Sequence, residues 1–458
     1  MPTTQHRRAF LQASAGTATL AAVSYAGIPG ANDRVGVGFV GYGLMAKKHV
    51  ATFRAAGGCD VVALSEVHRG RLEEGVAAAG GKAAAYADFR NLLEDKHVNA
   101  VVTATPDHWH ALITMLACAA GKDVYVEKPL TLFVREGEWM QTVATKHKSV
   151  VQVGTQQRSG KHYQKARDLV QKGHIGRVVS VRMPAARNVT PGFGSPTDRE
   201  PPADLDYDRW LGPAPARKYN PNRGIYHFRW FWDYSGGQMT NLGAHQHDVA
   251  DWFLGLDKLR AVTSVGGRYA LTDNGETPDT QDAIFDCGAW SGTFSMRECA
   301  TGPRTSTGVE FLGTKGTLSV SRSGFTVTPD ADIPPVNLIP GVREGHPVGG
   351  PKAVPAGKRD PRTTAIDDRT GSSDEQYTEH ARSFLECVRS RKTPVADLAS
   401  AHRVAVACHL ANLSLRLGRS LKWDWKTNSV PGDAEANAAL ARPYRAPWDK
   451  ELKALGVG

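Results

Sequence analysis

The fold is decided by residues 35–46, Val35-Gly36-Val37-Gly38-Phe39-Val40-Gly41-Tyr42-Gly43-Leu44-Met45-Ala46. An apolar run of strand-forming residues ends in a glycine turn, and a helical pattern then continues to about Ala56. Gly41 allows the tight turn, Gly43 lets the backbone approach a pyrophosphate, and Ala46 permits close packing of the helix on the strand. Because a helix N-terminus favours anions, this stretch predicts the opening of a dinucleotide-binding Rossmann domain.

A second strand strengthens this prediction. Val61–Ser65 is apolar and ends at Glu66, about 20 residues past the fingerprint, where an acidic side chain is expected to bind ribose hydroxyls. A carboxylate there repels a 2′-phosphate, so NAD is favoured over NADP. Arg69 stands close by and leaves NADP open as the alternative.

The strand-helix alternation continues and predicts an α/β fold with a Rossmann domain over residues 31–155. A strand over 98–103 is followed by Thr105, Pro106, His108 and His110, polar and turn-forming residues at the edge where ligands bind in such sheets. A zinc site on the two histidines is the alternative. No third ligand stands at a recognisable spacing, so we expect no metal.

The next strand, Val124–Val126, ends abruptly in Glu127-Lys128-Pro129. The pattern predicts a strand whose C-terminal end delivers two charged side chains to the same ligand-binding edge. Proline after Lys128 disfavours helix at the lysine and permits a cis bond. An ordinary strand end with a solvated lysine is the competing interpretation.

Composition restricts the class of protein. The 458 residues are 41% apolar and 22% charged, values typical of a soluble globular chain that is long enough for two domains. The six cysteines are scattered and predict buried thiols instead of disulfides or zinc ligands. The net charge is +10, but no basic run is interleaved with aromatic residues, so nucleic acid is not an expected partner.

Residues 1–30 are predicted to be a twin-arginine signal peptide. Arg7-Arg8 precedes a mildly apolar segment that ends in small residues at Ser24-Tyr25-Ala26, a pattern typical of that signal. It predicts export by the twin-arginine machinery to the periplasm, with an accidental Arg-Arg pair as the alternative. No other segment is long and apolar enough to predict a membrane span.

Several motifs in this order resemble the glucose-fructose oxidoreductase / inositol dehydrogenase (Gfo/Idh/MocA) family: Gly41-Tyr42-Gly43, Thr105 to His110, Glu127-Lys128-Pro129, Gly154 to Arg158, Gly236 to Asp248, and Gly313 to Leu318. The resemblance implies a second α/β domain, here 156–428, with a large, mostly antiparallel open sheet that carries substrate contacts and often oligomer contacts. We therefore expect a homo-oligomer, a dimer or a tetramer. Residues 329–375 are rich in proline and predict a surface insertion, and residues 429–458 predict an extended C-terminal arm.

The resemblance also implies the catalytic groups. Lys128 is expected to move the proton, with His245 beside the reacting carbinol; Asn241 stands where the family usually has Asp. An amide can orient a hydroxyl but cannot accept its proton, which places more of the acid-base work on His245 and Lys128. A metal site on His245, His247 and Asp248, or a purely structural His247, are the alternatives.

The remaining site residues follow from the same motifs. The expected cofactor contacts are Gly41, Tyr42, Gly43, Leu44, Met45, Glu66, Thr105, Pro106, His108, His110, Glu127 and Gln157. The expected substrate contacts are Arg158, Tyr163, Trp230 and Asp248. For Trp230 and its aromatic neighbours, packing beneath the active site is an equally good interpretation.

The implied activity is nicotinamide-dependent oxidoreduction of a CH-OH group of a sugar, cyclitol or glycoside. Free nicotinamide nucleotide is scarce outside the cytoplasm, so export predicts a tightly bound cofactor that is recycled within each turnover. Recycling fits either an exchange between two sugars or a redox-assisted glycosidase that oxidises, eliminates and reduces. A non-catalytic sugar-binding protein is the third alternative.

Overall fold

The computed structural model describes residues 34–301, 308–332 and 360–458, with the backbone of two short strands, Val342–Arg343 and His346–Pro347. The predicted signal peptide and about half of the predicted 329–375 insertion lie outside the described residues.

The first domain is built on a parallel sheet of six strands. The strands are β1 (Val35–Val40), β2 (Cys59–Ser65), β3 (Ala84–Tyr86), β4 (Ala100–Thr103), β5 (Asp123–Val126) and β6 (Val151–Val153). The helices between them are α1 (Leu44–Ala56), α2 (Arg69–Ala78), α3 (Phe89–Glu94), α4 (Asp107–Ala119) and α5 (Val134–His147). The strand order is β3-β2-β1-β4-β5-β6, which confirms the predicted Rossmann domain.

Burial explains why these strands read as continuous apolar runs. Every residue of β1 is buried, because separate apolar clusters cover the two faces of the sheet. The chain order reverses on either side of β1, which pairs with both β2 and β4. The C-terminal ends of β1 and β4 therefore form the crevice at which ligands bind in open α/β sheets.

The second domain contains a sheet of ten strands. Its members are β7 (Val178–Asn188), β8 (Ala261–Gly267), β9 (Thr280–Asp286), β10 (Ser291–Arg297), β11 (Cys299–Ala300), β12 (Val309–Gly313), β13 (Gly316–Ser321), β14 (Gly324–Pro329), β17 (Ile366–Asp368) and β18 (Leu421–Lys422). The two strands β15 (Val342–Arg343) and β16 (His346–Pro347) form a separate short hairpin. Its pairings are antiparallel apart from β10 with β7, so the predicted large, mostly antiparallel sheet is confirmed.

Helices cover one face of this sheet, and those that contact it directly are α6 (Lys161–Gln171), α9 (Gly243–Leu254) and α11 (Leu398–Leu417). The same part of the chain also contains α7 (Tyr207–Leu211), α8 (Gly237–Asn241) and α10 (Ser373–Ser390), and α10 packs on α1 of the first domain. The long helix α11 agrees with the helical pattern of its sequence. It begins after Asp397, whose side chain accepts from the Ser400 amide at 2.7 Å and caps the helix.

Helix α4 begins at Asp107, with Pro106 as its N-cap, so His108 and His110 lie in its first turn. One sequence-based prediction for the second domain needs correction. Within the predicted 329–375 insertion, Ile366–Asp368 is the edge strand β17 of the large sheet. Part of that proline-rich stretch therefore belongs to the second domain's framework.

The C-terminal segment is not an extended arm over its whole length, because it contains helices α12 (Ala434–Ala438) and α13 (Trp448–Ala454). It packs on the first domain of the same chain. The ring of Trp448 lies 4.8 Å from that of Trp109 between centroids, and the Tyr444 hydroxyl donates to buried Glu136 at 2.8 Å.

The cysteine prediction holds for four of the six thiols, which are buried, while Cys299 and Cys387 are half-buried and all six are unpaired. Among the residues described, no helix has the length and apolar character needed to cross a membrane.

Candidate active site

A cleft opens at the C-terminal ends of β1, β2, β4 and β5. Its opposite wall comes from residues 205–229, which follow β7, and from Trp448 of the C-terminal segment. The cleft floor carries the glycine turn, Glu66, Glu127 and Lys128. The structure thus brings the residues predicted from three separate motifs to one site.

The glycine turn has the geometry that the fingerprint predicts. Gly41 has φ +83°, and a Cβ there would meet the backbone of Thr105 at 3.2 Å. A Cβ on Gly43 would meet nothing within 4 Å and would project into open space. The α1 N-terminus has neither a side-chain cap nor an acidic residue in its first turn, so its amides are available to a pyrophosphate.

Glu66 is held beside the glycine turn by backbone donors. Its carboxylate accepts from the Tyr42 amide at 2.7 Å and from the His68 amide at 3.0 Å. These contacts fix a negative charge beside the glycine turn, where ribose hydroxyls are the fitting ligands. The Tyr42 side chain is buried and contributes packing, whereas Leu44 and Met45 line the cleft.

The imidazole of His110 holds the turn after β4 in place. His110 lies between the Pro129 and Thr105 carbonyl oxygens at 2.6 and 2.9 Å, and it lines the cleft together with Thr105 and Pro106. His108 instead faces away, toward the Trp210 carbonyl at 3.1 Å. Burial lowers the pKa of His108 to about 3, which leaves it a neutral structural group.

Lys128 follows β5, and its peptide bond to Pro129 is cis. The ammonium donates to the Asn241 side-chain oxygen at 2.9 Å and to the Asn241 carbonyl at 3.2 Å. Burial lowers the pKa of Lys128 to about 8, with the charge of Arg229 acting in the same direction and that of Glu127 opposing it. Such a group can both accept and release a proton near neutral pH.

Glu127, the residue before Lys128, is held in place by hydrogen bonds. It is 3% exposed and accepts from His49 at 2.7 Å and from Gln156 at 2.8 Å. Burial acts to raise the pKa of Glu127, but the hydrogen bond from His49 and the charge of Lys128 hold it below its ordinary value. Gln157, which the sequence predicted as a cofactor contact, does not line the cleft and donates to the Tyr163 hydroxyl.

His245 lies near Lys128 as the sequence suggested. Its Nε2 is 3.4 Å from Arg322, and its buried Nδ1 has no hydrogen-bond partner among the described residues. Burial, together with the charges of Lys128 and Arg322, lowers the pKa of His245 well below its ordinary range. A neutral imidazole with an unused nitrogen can bind a substrate hydroxyl.

His247 is structural, one of the alternatives that the sequence left open. Its Nδ1 donates to the Gly243 carbonyl at 2.8 Å, and its ring packs on Phe285. Within the described ranges, no group of three or more His, Cys, Asp or Glu side chains could hold a metal ion.

Comparison with known proteins agrees with this geometry. Residues 35–155 match the model of an oxidoreductase family with an NAD-binding Rossmann fold, named GFO_IDH_MocA, and residues 161–266 and 368–450 match that family's C-terminal alpha/beta domain. Together the matches cover more than half of the chain. The chain belongs to the Gfo/Idh/MocA oxidoreductase family.

Relatives of this family member include scyllo-inositol 2-dehydrogenase (NAD(+)) of Bacillus subtilis, 25% identical over 86% of this chain and 96% of that protein. Myo-inositol 2-dehydrogenase of Thermotoga maritima is 24% identical over 62% of this chain and 74% of its own length. A levoglucosan dehydrogenase, solved with NADH and levoglucosan, shares the fold at a TM-score of 0.62 and 18% identity, over 85% of this chain and 99% of that one.

The four substrate contacts expected from the sequence lie deeper in this oxidoreductase than the cleft wall. Arg158 forms a forked ion pair with Asp248 at 3.0 Å, and both are almost fully buried. The Tyr163 hydroxyl accepts from Gln157 at 2.9 Å, and Trp230 donates to Glu298 at 2.6 Å. In this structure all four side chains are engaged in interior contacts.

Other side chains, which sequence reasoning did not select, do line the cleft: Asp107, Trp210, Tyr226 and Arg229. Asp107 lies inside a motif that the sequence singled out, so its place at the strand end was a usable signal. Tyr226 and Arg229 belong to the wall formed by residues 205–229, and no local periodicity indicates where that wall folds.

Proposed function

We propose that this NAD-binding oxidoreductase oxidises a CH-OH group of a sugar or cyclitol, with Lys128 as the acid-base residue. One observation carries the proposal. A half-buried lysine whose pKa is lowered to about 8 lies in the same cleft as the glycine turn and Glu66. A neutral Lys128 accepts the hydroxyl proton of the substrate, and its ammonium returns a proton in the reverse direction.

The residues around the cleft fit a dinucleotide. The open space at Gly43, the uncapped helix behind it and the braced Glu66 carboxylate together suit a pyrophosphate and a ribose. NAD, when bound, supplies the hydride acceptor. The protein's own groups orient the substrate, since neutral His245 and the Asn241 amide offer hydrogen bonds to hydroxyls beside Lys128.

The substrate class is supported by the relatives and by the cleft wall. Related proteins are named as dehydrogenases of inositols and of levoglucosan, which are cyclic polyols or sugar derivatives. The exposed ring of Tyr226, with Arg229 stacked 5.4 Å from its centroid, gives the wall an apolar face with polar edges. Rings of this kind pack well against the C-H faces of sugars.

Export and tight cofactor retention form part of the proposal. The Arg7-Arg8 pattern supports a periplasmic enzyme that carries its nucleotide with it and recycles it. Homo-oligomerisation is supported by apolar side chains on the uncovered face of the large sheet, where Val265 is 64% and Ile284 is 58% exposed.

The proposal is tested on the purified protein. Denaturation should release about one nicotinamide nucleotide per chain, and nucleotide fluorescence should change when inositols, glucose or levoglucosan are added. Lys128→Met should abolish this change while keeping the nucleotide, and exposed Lys146→Met is the matched control. A protein without bound nucleotide, to which added NAD does not bind, would contradict the proposal.

Redox-assisted glycoside cleavage is the second candidate, favoured by the same export pattern because cleavage leaves the cofactor unchanged overall. Products formed from a defined glycoside distinguish the two candidates. Release of the aglycone without an added acceptor sugar indicates cleavage, whereas formation of an oxidised sugar paired with a reduced one indicates exchange.

A further inference from the structure

A series of hydrogen-bonded polar side chains leads from Lys128, at the cleft, into the buried interior. Lys128 donates to Asn241 Oδ1 at 2.9 Å, Asn241 Nδ2 donates to Gln238 Oε1 at 3.1 Å, and Gln238 Nε2 donates to Glu298 Oε1 at 2.7 Å. Gln238 is 2% exposed and Glu298 is 0% exposed. Glu298 directly follows β10, and neither it nor Gln238 lines the cleft.

The two ends of this series fix the direction of every hydrogen bond in it. Glu298 accepts from Trp230 Nε1 at 2.6 Å and from Arg187 Nε at 2.9 Å, so donors surround both of its oxygens. At the other end, a lysine ammonium can only donate. Gln238 must therefore turn its nitrogen toward Glu298 and its oxygen toward Asn241, and Asn241 must turn its oxygen toward Lys128.

We propose that Glu298 is a positioning residue, which acts through Gln238 to hold the Asn241 amide with its oxygen facing Lys128. The inference rests on the proposed function of Lys128 as the acid-base group. An unrestrained Asn amide can exchange its oxygen and nitrogen by rotation with little change in shape. Its nitrogen could then donate to the lone pair of neutral Lys128. The fixed orientation prevents this and leaves the lone pair for the substrate hydroxyl.

Other charged groups also act on Lys128 and stay unchanged in the test below. Glu127 and Asp107 raise its pKa, and Arg229 and Arg322 lower it. His245 faces it from α9 as a neutral ring.

Gln238→Met tests the proposal, because methionine keeps the shape of glutamine but frees the Asn241 amide. The apparent pKa of Lys128 is measured as the pH dependence of its acylation, followed by peptide mass spectrometry on the full-length protein. We expect this pKa to fall by roughly half a unit or more, because the amide nitrogen can now stabilise the neutral amine. In turnover, kcat should fall about tenfold while KM stays within about threefold.

Two variants of Glu298 separate orientation from charge. Glu298→Gln is made together with Trp230→Phe, because the new amide nitrogen would otherwise face the Trp230 Nε1–H donor. The amide oxygen can then still accept from Gln238 and Arg187, so the charge is lost while the orientation is kept, and the Lys128 shift should be less than half of that in Gln238→Met. Glu298→Leu removes the orienting acceptor and should match Gln238→Met. If Glu298→Leu does not fold, as judged by circular dichroism, the other two variants decide.

The proposal is overturned if Gln238→Met keeps the wild-type pKa of Lys128, if a folded Glu298→Leu keeps it, or if Glu298→Gln shifts it as far as Gln238→Met does. Because acylation requires no substrate, this result is independent of whether the protein oxidises carbohydrates. Loss of the proposed activity and loss of the proposed orientation are thus distinguishable.

Discussion

The pH dependence of oxidation follows from the protonation of one lysine in the cleft. Lys128 must be neutral to accept the substrate proton, and burial lowers its pKa to about 8. His245, whose pKa lies well below its ordinary range, stays neutral from mildly acidic to basic pH and adds no second transition. We therefore expect kcat/KM for oxidation to rise with pH and to level off above the pKa of Lys128.

The size of the effect can be worked out from this value. With a pKa of about 8, roughly 1% of Lys128 is neutral at pH 6, about 9% at pH 7 and about half at pH 8. Oxidation should therefore accelerate close to tenfold between pH 6 and pH 7. Glu127 raises the pKa of Lys128, so Glu127→Gln should move the midpoint down by roughly half a unit or more.

The assay measures single-turnover rates of reduction of the bound nucleotide between pH 6 and pH 9, in buffers of constant ionic strength, for the wild type, Glu127→Gln and Lys128→Met. Lys128→Met should lose about 10²- to 10⁴-fold in rate and lose the transition. The exposed Lys146→Met control should keep both. A flat wild-type profile, or a Lys128→Met profile with an unchanged midpoint, would refute the assignment of the transition to Lys128.

Three further predictions concern the cofactor crevice and the interior. Gly43→Val should fold normally, since a Cβ there meets nothing within 4 Å, yet NAD affinity measured by calorimetry should fall at least about tenfold because the side chain enters the cleft. Glu66→Ser should raise NADP affinity relative to NAD by about tenfold or more in competition titrations, because a charge that repels the 2′-phosphate is removed. Arg158→Met should lower the free energy of unfolding in urea by about 3–5 kcal/mol, since it leaves Asp248 buried without its partner. Exposed Arg177→Met should leave the free energy of unfolding unchanged. A large rise in KM in Arg158→Met without loss of stability would indicate that Arg158 contacts the substrate.

The sequence was sufficient to predict the parts of the candidate site that lie at the ends of strands. The glycine turn, Glu66 and Lys128 each follow an apolar run directly, and parallel strands bring their C-terminal ends to one edge. The position of the cofactor crevice therefore follows from local pattern and sheet topology alone. His245 was found by its motif, and its distance from Lys128 needed the packing of the second domain.

The cleft wall and the interior ion pair could not be predicted, because they depend on contacts between residues far apart in the chain. The cleft wall at residues 205–229 lies in a segment with little regular structure, so neither a helical nor a strand period indicates its position. Trp448 reaches Trp109 and Phe89 from the opposite end of the chain. Arg158 and Asp248 carry charges that suggest ligand contact, but only the fold shows that they pair with each other.

The neighbours of Asn241 explain why an amide can replace the Asp that the family usually has at this position. A carboxylate at this position, as the family resemblance implies, would accept from Lys128 in any orientation and would need no positioning residue. In this protein, the side-chain group at position 241 faces Gln238 Oε1 at 3.1 Å, because the side-chain nitrogen of Gln238 donates to Glu298. A carboxylate would meet that oxygen without a proton between them, at an energetic cost, whereas an amide donates to it. Asn241, Gln238 and Glu298 thus form a mutually dependent set, in which a neutral amide fixed in direction does the orienting work of a charged group.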